Sequence, residues 1–164
     1  MNRRDIVIGI LILAFLVGMI YWRQTSKKEE TETRVPETLS VEDVLEEKFK
    51  IEIPEDVEKV ELKDISGGDS SGIATRKFES GKFSLTVLAD LADPEGSSFY
   101  QGWLEKGEGE NYSLFSLGKM SLAKGGYILN FESGTNYSDY QKVLVTLEKS
   151  LDKNPEKKIL EGSF

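Results

Sequence analysis

Residues Ile6 to Trp22, IVIGILILAFLVGMIYW, carry no charge and no proline; Arg3, Arg4 and Asp5 precede them and Arg23 follows. A helix rises about 1.5 Å per residue, so a run of roughly 17 reaches about 25 Å, the short end of what crosses a bilayer. A buried soluble helix would show one polar face, and this stretch has none. A cleaved secretory signal would end in small residues, whereas Met19, Ile20, Tyr21 and Trp22 stand there. Tyr21 and Trp22 suit the headgroup layer instead. The segment therefore predicts an uncleaved signal anchor at residues 6–22, in contact with the lipid bilayer, with residues 1–5 as a cytoplasmic tail. Positive charge barely orients it, since Arg3, Arg4 and the α-amino group are nearly matched by Arg23, Lys27 and Lys28.

After the anchor the chain turns polar. Residues 23–39 have almost no apolar content and mixed charge, which predicts a flexible linker. Ser40 and Asp43 then form a capping-box pattern, and Val41, Val44, Leu45 and Phe49 recur at helical spacing. A short helix over about Val41–Lys48 is expected, its apolar stripe covering a sheet or a partner.

From Val57 onward the period changes to two. Gly72–Phe78 and Phe83–Leu91 flank Glu79-Ser80-Gly81-Lys82, a hairpin signal. Phe83, Leu85 and Val87 point one way and Ser84 and Thr86 the other. Phe99–Lys106 reads as a strand with Phe99, Gln101 and Trp103 on one face, and Trp103 is expected in the core. Gly125-Gly126 marks a second hairpin before Tyr127, Leu129 and Phe131; Val143, Val145 and Leu147 alternate in the next strand, and Lys158–Phe164 closes the chain. The fold class expected is mainly β: an antiparallel β-sandwich over residues 40–164, with an Ig-like form or a small barrel as alternatives, one short N-terminal helix, and a single transmembrane helix before it.

The balance of 21 Lys+Arg against 29 Asp+Glu gives a net charge of −8. Such a domain repels a phosphate backbone, so nucleic acid is not an expected partner. With no cysteine and no histidine, thiolate and imidazole zinc sites, disulfides, histidine-ligated haem and Ser-His-Asp or Cys-His catalysis are all excluded.

Several short patterns touch on chemistry. Ser116-x-x-Lys119 and Ser121-x-x-Lys124 match the spacing of serine–lysine acyl enzymes, but that chemistry needs both groups on one helix turn, and residues three apart on a strand face opposite ways. The Gly67–Gly72 loop with Asp64 and Asp69, and the Asp90–Glu95 stretch, lack the ligand spacing of a calcium loop and read as turns. Asn111-Tyr-Ser113 and Asn136-Tyr-Ser138 are formal glycosylation acceptors at about chance frequency. No catalytic, cofactor-binding or metal residue is expected, and no cofactor. Tyr137 and Tyr140, in the polar GTNYSDY loop, are expected to be exposed and are the candidate partner contacts.

The order of these pieces carries a resemblance. Tyr100-Gln101-Gly102-Trp103-Leu104, Phe115-Ser116-Leu117-Gly118, the alternating GGYILNF, Val145-Thr146-Leu147-Glu148, Asn154-Pro155 and Ile159-Leu160-Glu161-Gly162 follow one another. Over about Phe83–Phe164 this resembles the C-terminal extracytoplasmic domain of the anti-sigma-K factor family. The resemblance implies a bacterial β-sandwich beyond the cell membrane, attached through a single span. It also tips the orientation, placing the C-terminal domain outside the cytoplasm. Family members hold a sigma factor through a cytoplasmic helical domain, often with His and Cys; only Met1 to Asp5 precede the expected span, so this chain is expected to match the sensor half alone. The function expected is a single-pass, membrane-anchored, non-enzymatic module that binds or senses another envelope or membrane regulatory protein. An envelope assembly or adhesion module is the alternative, and a serine–lysine hydrolase a remote one.

Overall fold

Ser40 and Asp43 cap each other as their spacing predicts. Ser40 Oγ accepts the Asp43 N–H and the Asp43 carboxylate accepts the Ser40 N–H, both at 3.1 Å, so two otherwise orphaned helix donors are satisfied. The structure, a computed structural model, describes residues 39–164. The expected tail and anchor, and the linker up to residue 38, lie outside the described residues. Among those described, no helix is long and apolar enough to cross a membrane.

Helix α1 (Val41–Phe49) ends where Lys50 turns left-handed at φ 55°. Nine strands follow: β1 (Glu58–Asp64), β2 (Ser71–Glu79), β3 (Lys82–Asp90), β4 (Phe99–Lys106), β5 (Ser113–Lys119), β6 (Ser121–Ala123), β7 (Gly126–Ser133), β8 (Lys142–Glu148) and β9 (Lys157–Ser163). Every pairing is antiparallel, and all the strands join one sheet in the order β5-β4-β8-β9-β1-β2-β3-β7-β6.

That order corrects the β-sandwich and Ig-like expectations. A sandwich stacks two sheets, whereas here one sheet curls until its edges approach. The edge strands β5 and β6 are consecutive in the chain, with Met120 alone between them. One half of this bent run pairs with β4 and the other with β7, and the Met120 N–H donates to the Tyr100 carbonyl at 2.8 Å. The result is a nearly closed, barrel-like sheet.

Alternation decides what fills it. Phe83, Leu85 and Val87 of β3 meet Leu104, Leu129, Val143, Val145 and Leu160 in one buried cluster. Each such side chain stabilises the fold by about 1.5–3 kcal/mol. Helix α1 lies on the opposite side of β2 and β3, burying Leu45 and Phe49 with Ile53 against Ile73 and Leu88. The apolar stripe of α1 thus covers the outer face of a sheet. The Ser80-Gly81 turn joins β2 to β3 with φ of 53° and 78°, the positive values a two-residue hairpin needs.

Candidate contact surface

The β7–β8 connection folds back over one end of the barrel. Tyr137 packs against Phe83, Phe115 and Phe131 with ring centroids 4.7–5.7 Å apart, and Tyr140 lies 5.7 Å from Tyr137. The Tyr140 hydroxyl is 3.1 Å from Ser113 Oγ, and its backbone carbonyl accepts from Arg76 Nη1 at 2.6 Å. Arg76 is buried in the same end, bound to Glu58 and stacked on the Phe164 ring at 3.9 Å. The expectation that Tyr137 and Tyr140 stand exposed is therefore corrected: both are half-buried. Their loop is polar, yet Tyr137 and Tyr140 pack onto the aromatic side chains at the end of the sheet, and that packing outweighs exposure.

A different surface gathers the sequence's polar candidates. Phe99, Gln101, Trp103 and Glu105 alternate with the interior residues Tyr100 and Leu104 along β4 and so face outward. In β8 the outward row is Lys142, Leu144, Thr146 and Glu148, each opposite one of them. Trp103 and Leu144 are fully buried, as expected for Trp103, but neither belongs to the interior cluster or to the one under α1. The Gln101 side-chain amide donates to Ser116 Oγ at 3.1 Å, while its Oε1 is buried with no partner among the described residues.

A β-bulge completes this row. Gln101 lies opposite Lys119, Gly102 opposite Gly118, and Trp103 opposite Ser116, so β5 carries one extra residue there. Leu117 and Met120 both pack inward, three residues apart, and Ser116 and Lys119 consequently share the outward face, contrary to the simple strand expectation. Gly118 was the signal for it, since a glycine inside a strand often marks a bulge. The two groups still do not form an acyl-transfer pair. Ser116 Oγ accepts from Gln101 and from the Gly118 N–H at 3.3 Å, and the Lys119 ammonium sits over the Phe99 ring at 4.7 Å. Ser121 and Lys124 are both exposed beside the β6–β7 turn.

The loop after β1 holds an anion, and the anion is the chain's own. Asp64 accepts the Ser66, Gly68 and Ser70 N–H groups and the Ser66 hydroxyl at 2.7–3.1 Å. Desolvation raises the Asp64 pKa, but these hydrogen bonds outweigh it and hold the carboxyl well below the usual carboxylate range. The Asp90–Glu95 stretch is likewise used internally, Asp90 pairing with Lys48 and Asp93 accepting from the Tyr127 hydroxyl. Among the described residues no group of carboxylates could hold a metal ion.

A depression of about 270 Å³ opens where the ends of β4, β8 and β9 meet, lined by Glu105, Glu108, Gln141, Lys142 and Ser163 among others. Lys142 Nζ lies 3.4 Å from both Glu105 and Glu161. Burial pulls the Lys142 pKa down, but the two carboxylates outweigh it and hold it above the ordinary lysine value. The depression is open, and the Lys142 cation in its wall is already held by two carboxylates.

No family model, curated protein or solved structure matches this chain.

Proposed function

We propose that this chain is a membrane-anchored, non-enzymatic binding or sensing module. Residues 6–22 hold it in the cell membrane by a single span, and the barrel-like domain stands on the extracytoplasmic side and engages another envelope or membrane regulatory protein. The filled interior carries the reading. Interior strand residues pack into one cluster and the Tyr137–Tyr140 loop stops one end, so recognition falls to the outer surface rather than to a ligand enclosed in the barrel. The acidic balance, −8 overall, favours a protein partner over nucleic acid or anionic lipid.

The resemblance of Phe83–Phe164 to the extracytoplasmic domain of anti-sigma-K factors supports an envelope regulatory role. Crosslinking of the full chain in intact cells tests this. A discrete adduct with a membrane protein that carries a cytoplasmic domain is expected. Adducts of the chain with itself alone would contradict the sensing role and establish an assembly module.

A further inference from the structure

We draw no further inference here: the strongest candidate, the outward face of β4 and β8 around Gln101, Trp103 and Leu144, is buried without joining either apolar cluster, and nothing among the described residues shows what covers it.

Discussion

The Trp103 indole N–H donates to the Thr146 hydroxyl at 2.7 Å, diagonally across the β4–β8 pair, where Trp103 lies opposite Leu144 and Thr146 opposite Gln101. The Thr146 hydroxyl in turn reaches the Gln101 carbonyl at 3.4 Å, and all three residues are buried. Thr146→Val keeps the shape but leaves the indole N–H without an acceptor, which costs about 1–3 kcal/mol. Thr146→Ser keeps the acceptor and loses about 1 kcal/mol of methyl burial. Denaturant unfolding of residues 39–164, where Trp103 is the sole tryptophan, reads both through its own emission. Equal stability of the two variants would show that the hydrogen bond contributes nothing.

Arg76 is a buried cation whose partner is exposed. Its Nε and Nη2 both reach Glu58 Oε2 at 2.7 Å, and Nη1 holds the Tyr140 carbonyl. Arg76→Met removes the charge without stranding Glu58 in the interior, but it releases the loop that stops the barrel. A loss of about 2–3 kcal/mol is expected. Arg76→Lys should fall between the two, because an ammonium cannot span both partners as the planar fork does. Hydrogen exchange should quicken first over residues 134–141; protection unchanged there would separate Arg76 from the loop.

Asp64 gives stability a defined pH dependence. Its folded pKa lies below the unfolded value, so the contribution is full above the ordinary aspartate pKa of about 3.9 and is lost as pH falls towards the folded value. Asp64→Asn should cost about 1 kcal/mol at neutral pH, a figure kept small by the loop's exposure. The gap between variant and parent should narrow as pH drops below about 4. Parallel unfolding curves from pH 7 down to pH 3 test this, and a constant gap would exclude the carboxylate as its source.

Two glycines separate backbone strain from steric conflict. A Cβ on Gly81, φ 78°, meets nothing nearby, whereas one on Gly125, φ 103°, strikes the Lys48 carbonyl at the end of α1. Gly81→Ala should therefore cost about 1 kcal/mol. Gly125→Ala should cost about 2–4 kcal/mol, because the β6–β7 turn must withdraw from the helix. Similar losses in thermal unfolding would mean that the turn and α1 are not packed as described.

Local structure was legible in the chain because each element carries its own signal. The Ser40–Asp43 box, the alternation around Phe83 and Val143, and the Ser80-Gly81 turn depend on residues close in sequence. Sheet closure depends instead on Met120, where one run changes partner from β4 to β7, and no local period records that. The same bend and the Gly118 bulge hid the shared face of Ser116 and Lys119. Tyr137 and Tyr140 were misjudged for a related reason: their loop composition is that of an exposed segment, and the aromatic surface they pack onto is assembled from Phe83, Phe115 and Phe131 on three separate strands.

The membrane-anchored reading stands or falls on which side the barrel occupies. The chain has no cysteine, so Leu151→Cys, at a site 71% exposed in the β8–β9 loop, introduces one unique label. In spheroplasts expressing the full chain, a membrane-impermeant maleimide should modify this cysteine without lysis, and the labelled protein should stay with the membranes after alkaline extraction. Labelling that appears only after lysis, or a labelled chain released by alkali, would contradict the account.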